Sequence, residues 1–139
     1  MRKREEILSK DERLRIVSSL KEIREKVKWK PGKDVAHLEK RLRMNHLPAG
    51  TSMKAYEESI HGILANRGNA VYLYVFGEIH YYAVRGVAYK KEWLVIFGER
   101  GLMETAFPPE DIDDYLERRG FILLDRIEEV LKWTKEVES

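Results

Sequence analysis

The spacing of apolar residues changes along the chain, and each change marks an element. Ile16, Leu20, Ile23 and Val27 recur at intervals of three and four, the stripe of an α-helix. Ser9 and Glu12 stand at capping-box spacing and open it. Pro31-Gly32 closes it, because proline drives the residue before it out of the helical region. The stripe buries against the rest of the chain or against a second copy, so a homodimer is a candidate assembly. A second helix begins near Lys33-Asp34, with Val35, Leu38 and Leu42 on its buried face. His37, Lys40, Arg41 and Met44 fall on the flank away from that face. Tyr56, Ile60, Ile63 and Leu64 set a third helix, capped by Thr51 or Ser52 and ended at residues 66–69, where Gly68 can adopt the left-handed conformation.

The period then shortens. Residues 71–76, 79–85 (running on toward Tyr89), 93–97 and 102–107 are aromatic and β-branched, as strands are. Gly77-Glu78, Lys90-Lys91-Glu92 and residues 98–101 separate them as turns, and connections this short force antiparallel neighbours. Residues 93–97 are apolar without alternation, the pattern of a strand covered on both faces. His80 alternates onto the solvent face. Pro108-Pro109 halts the ladder and a helix follows at Glu110, its start favoured by Glu110, Asp111, Asp113 and Asp114 and its end set by Gly120. Asp125 and Glu128 repeat the capping-box spacing and open a last helix with Ile127, Val130 and Leu131 on its stripe. The expected fold is α+β, with N-terminal helices packed on a four-stranded antiparallel meander and two helices after it. The 139 residues make one domain, with a core over 34–109, a helix in 1–30 and acidic helices in 110–139.

Charge sharpens this picture. The net charge is +2, but residues 1–50 carry +7 and residues 101–139 carry −6. A basic first third suits a polyanion partner, and the plainer reading is that the two ends pair with each other. Glutamine is absent while Lys, Arg and Glu abound, a bias seen in proteins from hot environments. No apolar run approaches the roughly 20 residues of a membrane span, and Met1 to Glu6 lacks the apolar segment of a signal peptide. A cytoplasmic protein without a membrane partner is expected.

Several chemistries are excluded. With no cysteine there is no disulfide, thiolate metal site or Cys nucleophile. His37, His46, His61 and His80 are scattered without metal-ligand spacing, so neither a metal nor another cofactor is expected. Gly98-Glu99-Arg100-Gly101 reads as a turn between strands, not a phosphate loop, and no nucleophile elbow exists. What remains is a basic helix and a hydroxyl on a late strand. Cleaving RNA without metal needs a proton acceptor for the 2′-OH, a proton donor for the 5′ oxygen, and cations beside the phosphate. His37 titrates in the useful range, Arg41 forks onto phosphate, Lys40 adds a point charge and Thr105 offers a hydroxyl. His46 and Arg85 are further candidates for substrate contact, and Tyr56, Tyr81 or Tyr82 for stacking a base. Each also has a structural reading, as solvated helix face, strand former or core.

His37-Leu38-Glu39-Lys40-Arg41, a helix ending in Ile63-Leu64, and a meander ending in Thr105-Ala106-Phe107-Pro108 together resemble a metal-independent ribonuclease superfamily. It unites barnase, EndoU, the tRNA-cleaving colicins and RelE-like toxins with related phage and toxin nuclease domains. The resemblance covers roughly residues 34–109. It implies helices on a four-stranded antiparallel sheet, catalysis by His37, Arg41 and Thr105, RNA (tRNA included) as substrate, and an inhibitor or antitoxin as protein partner. The long first helix and the acidic C-terminal third depart from the pattern. The alternative on the same fold is a non-catalytic RNA-binding or protein-interaction module.

Overall fold

The computed structural model describes residues 8–134; the charged start of the chain and its last five residues lie outside them. The fold is α+β. The elements run α1 (Lys10–Glu25), β1 (Lys28–Trp29), α2 (Lys33–Arg43), α3 (Met53–Ala65), β2 (Ala70–Phe76), β3 (Ile79–Ala88), β4 (Lys91–Phe97), β5 (Leu102–Phe107), α4 (Ile112–Arg119), β6 (Ile122–Arg126) and α5 (Ile127–Leu131), with a 3-10 turn over Glu99–Gly101. Among the described residues no helix is long and apolar enough to cross a membrane.

The expected meander is present as β2 to β5, each antiparallel to the next, but it is the middle of a larger sheet. The order is β1-β5-β4-β3-β2-β6, with β1 parallel to β5 and β6 antiparallel to β2. Six strands replace the four expected, for two local reasons. First, α1 ends at Glu25 instead of running toward Pro31, because Lys26 turns extended and frees Lys28 and Trp29 to pair with Leu102 and Met103. Second, the capping box at Asp125 does not form. The Asp125 carboxylate accepts from the Arg126 amide, and Arg126 ends a strand where a helix was expected to have begun. One of the two expected C-terminal helices is therefore α4, and the other is reduced to the short α5 after β6.

One sheet serves two cores. On one face α1 (Ile16, Leu20, Ile23), α3 (Tyr56, Ile60, Leu64) and α5 (Ile127, Val130) pack on Val71, Leu73, Tyr82, Val84, Trp93, Val95, Phe97 and Met103. On the other, α4 brings Ile112 and Leu116 onto Tyr72, Ala83, Leu94 and Ile96. Successive residues of β4 alternate between these cores, which is why residues 93–97 are all buried. Gly86 lets α3 lie close to β3. A Cβ there would stand 2.5 Å from Asn69 Nδ2 and 2.7 Å from Ile63 Cγ2.

Local signals were met in part. Ser9 accepts from the Glu12 amide and Ser52 from the Ala55 amide, both as expected caps. The Glu12 side chain does not return the bond; it reaches His80 Nδ1 at 2.6 Å, so His80 faces α1 and is only partly open to solvent. Gly68 keeps a negative φ, and Asn66 Oδ1 accepts its amide instead. The turn into β4 is Tyr89-Lys90, one residue or more earlier than expected. Helix α4 starts at Ile112, not Glu110, where Asp111 supplies the cap, and Gly120 closes it at φ 76°.

Candidate active site

The brevity of β1 creates the site. It pairs with β5 at Leu102 and Met103 only, which leaves the outer edge of β5 from Glu104 onward for α2. A bulge sits at the same place: Ile96 faces Thr105 while Phe97 faces Met103, so Glu104 is the extra residue. Helix α2 turns a polar flank toward this edge. Val35, expected on its buried face, is exposed, while Arg41, expected on the flank, is only 4% exposed.

His37 and Thr105 meet. Thr105 Oγ1 lies 3.3 Å from His37 Nδ1, across 68 residues of chain. The Trp29 ring stands 5.5 Å from the imidazole, tilted by 31°. Burial lowers the His37 pKa below its ordinary 6.5, and Arg41, Lys33 and Lys40 lower it further against a smaller opposing pull from Glu104. At neutral pH His37 is therefore an uncharged base. For Nε2 to accept a proton, Nδ1 must carry the ring hydrogen and donate it to Thr105.

Arg41 lies one turn further along α2. Its Nη1 donates to His46 Nδ1 at 3.3 Å, and its guanidinium sits 5.4 Å above the Phe107 ring. Since Arg can only donate, neutral His46 holds its hydrogen on Nε2. Burial, then Arg41, Lys91 and Lys40, lower the His46 pKa. Burial also lowers that of Arg41, opposed by Tyr56. Asn45 at φ 57° ends the helix and bends His46 back, with the His46 amide donating to Arg41 O. His46 is thus a closer associate of Arg41 than its loop setting suggested. Past these groups opens a cleft of about 1090 Å³ lined by Lys40, Arg41, His46, Lys91, Phe107 and Tyr115, among others.

Two other candidates are placed differently. Tyr56 is buried between Trp29 and Trp93, and its hydroxyl donates to Ala106 O at 2.8 Å. It anchors β5 behind the site and has no free face for a base; burial raises its pKa. Tyr82 is likewise buried, and Tyr81 stacks on Tyr74 at 6.2 Å. Arg85 donates to Asp113 Oδ1 and Glu92 Oε1, each at 2.8 Å. Burial alone lowers its pKa, and these two carboxylates more than reverse that. Its fork is occupied, so it does not join His37 and Thr105. Trp29, Phe107 and Lys91 were missed as neighbours of the site, because Phe107 and Lys91 come from segments whose spacing signals only strand or turn, and Trp29 from a stretch that reads as the end of the first helix.

Among the described residues no three His, Cys, Asp or Glu side chains gather as a metal site. No protein-family model, curated protein or solved structure matches the chain.

Proposed function

We propose that this chain is a metal-independent endoribonuclease, of the kind represented by barnase, EndoU, the tRNA-cleaving colicins and RelE-like toxins. The observation that carries the reading is the contact between His37 and Thr105 beside a buried Arg41. An uncharged imidazole with a fixed tautomer, set among cations, suits removal of a 2′-OH proton. In the reaction the 2′ oxygen attacks the adjacent phosphorus and His37 Nε2 takes its proton. The bond to the 5′ oxygen breaks, and that oxygen takes a proton from water. The products are a 2′,3′-cyclic phosphate and a 5′-hydroxyl. The positive field of Lys40 and Arg41 stabilises the charge on the phosphate as it develops. RNA, tRNA included, is the partner, and an inhibitor protein is the expected counterpart in the cell that makes the enzyme.

The test is incubation of the full chain with total RNA in excess chelator. Cleavage that persists in chelator, leaves cyclic phosphate ends and is lost in His37→Ala supports the reading. Protein that binds RNA with a steep salt dependence but never cuts it is an RNA-binding module instead.

A further inference from the structure

The cleft beside α2 holds a charge imbalance that the His37–Thr105 pair does not use. Glu110 lines its acidic wall without an ion pair among the described residues, but the other carboxylates there are held in place. Glu92 is bound by Arg85 and Asp114 by Arg118, each at 2.8 Å, while Asp111 caps α4. Its basic wall is not neutralised. Among the described residues no carboxylate pairs with Lys40, Arg41, Lys90 or Lys91, all of which line the cleft.

Arg41 is the strongest case. It is 4% exposed, its Nε has no hydrogen-bond partner, and Nη1 meets only a ring nitrogen. A buried cation without an anion is strongly destabilising unless something compensates it. A second observation comes from the facing turn. Tyr89 (φ 50°) and Lys90 (φ 63°) both adopt the left-handed conformation that such turns normally reserve for Asn-Gly. That strained turn leads straight into Lys91 and sets Lys90 and Lys91 on the rim.

We propose that the end of the cleft bounded by Arg41, His46 and Lys91 is an oxyanion site for a phosphate group, separate from the His37–Thr105 pair. In an RNA chain it holds the phosphate next to the one that reacts, so the fork of Arg41 contacts that neighbour and acts on the reacting phosphate through its field alone. The anion site stands on the cleft alone, and its role on RNA rests on the ribonuclease reading. The planar fork of Arg41 matches a tetrahedral oxyanion, and Lys91 adds a point charge from the start of β4. His46 holds its free N–H on Nε2, a further donor. The volume lies just above the roughly 300–1,000 Å³ of ligand pockets, so the site admits a phosphate with its flanking nucleoside.

The test uses the isotopically labelled full chain, titrated with inorganic phosphate and, separately, with 2′-O-methyl oligoribonucleotides carrying one or two internucleotide phosphates. Methylation blocks attack by the 2′ oxygen, so no probe is consumed. His46 ring signals are expected to move saturably with every probe. The two-phosphate oligomer is expected to bind about tenfold more tightly than the one-phosphate oligomer, the gain of one charge-assisted contact set. Lys91→Ala and His46→Gln are expected to erase that gain; Lys91 is exposed, so its removal does not threaten folding. Absence of a saturable His46 shift overturns the site. Shifts with inorganic phosphate but no gain from the second internucleotide phosphate leave a free-phosphate site and overturn its role on RNA. If His37→Ala abolishes cleavage while Lys91→Ala and His46→Gln leave KM unchanged, the ribonuclease stands and this site falls. Phosphate binding at His46 in a protein that never cleaves RNA keeps the anion site and removes the ribonuclease.

Discussion

Replacing Thr105 by valine isolates the contact on which the catalytic reading turns. The two side chains have nearly the same shape, and both suit a strand, so β5 keeps its pairing with Ile96 and the fold loses no more than about 1 kcal/mol. What disappears is the oxygen 3.3 Å from His37 Nδ1. That distance lies at the long end for a hydrogen bond, which places its value near the middle or lower part of the roughly 0.5–1.5 kcal/mol range. About 1 kcal/mol lost from the transition state corresponds to a fall of about fivefold in kcat. KM should not change, because Thr105 orients the base and does not hold the substrate. The imidazolium donates more strongly than the neutral ring, so losing the acceptor lowers the His37 pKa further. Single-turnover cleavage of a short RNA in chelator, followed across pH, measures the rate. The His37 ring signals measure the titration. A variant that cuts at the wild-type rate with an unmoved His37 titration refutes the assignment, because the contact then does nothing for the base.

Three further outcomes follow from the same fold. His37 and His46 have folded pKa values below the ordinary 6.5, so the unfolded chain binds protons that the folded chain refuses. Stability is then highest above about pH 6.5 and falls as pH drops below it, and thermal melts should show His37→Gln and His46→Gln flattening that fall; an identical acid limb in both variants contradicts the assigned shifts. Tyr56→Phe removes the 2.8 Å bond to Ala106 O and leaves a buried carbonyl short of a donor, a loss of about 1–2 kcal/mol in urea unfolding. Gly101→Ala places a Cβ 2.7 Å from the Ile23 amide nitrogen and 3.1 Å from Glu22 Cβ at φ 68°, and should destabilise by about 1–3 kcal/mol or more; an unchanged unfolding midpoint means the end of α1 does not lie this close to the turn.

How much of this was legible beforehand depended on the range over which each signal acts. Ile16, Leu20 and Ile23 repeat every three or four residues within one helix, and Tyr56, Ile60, Ile63 and Leu64 do the same. A helix that must bury a stripe announces it in its own spacing, so these faces were readable, as were the Ser9 and Ser52 caps. The β2–β5 meander was readable for a similar reason, since its connections are too short for any neighbour but the next strand. His37, Arg41 and Thr105 could be nominated from their chemistry. Their meeting could not be computed from it, because His37 and Thr105 touch only after α2 takes the edge of β5 that β1 leaves empty.

Other features had no local trace at all. Lys28-Trp29 is too short to show a period and is a strand only because β5 pairs with it. Leu124 on β6 is buried in the core beneath α1 and α3, while its neighbours Ile122 and Leu123 are exposed, so the apolar run there fitted no template. Arg41 reads as a surface residue on a helical wheel, and is buried because Phe107 and His46 arrive from other segments to enclose it. Arg85 reads as a free cation, and is occupied because Glu92 and Asp113 converge on it. Periodicity, caps and turns are properties of neighbouring residues and were written in the amino-acid order itself. Edge pairing, enclosure of a charge and neutralisation of one cleft wall depend on groups far apart in the chain, and only the folded arrangement decides them.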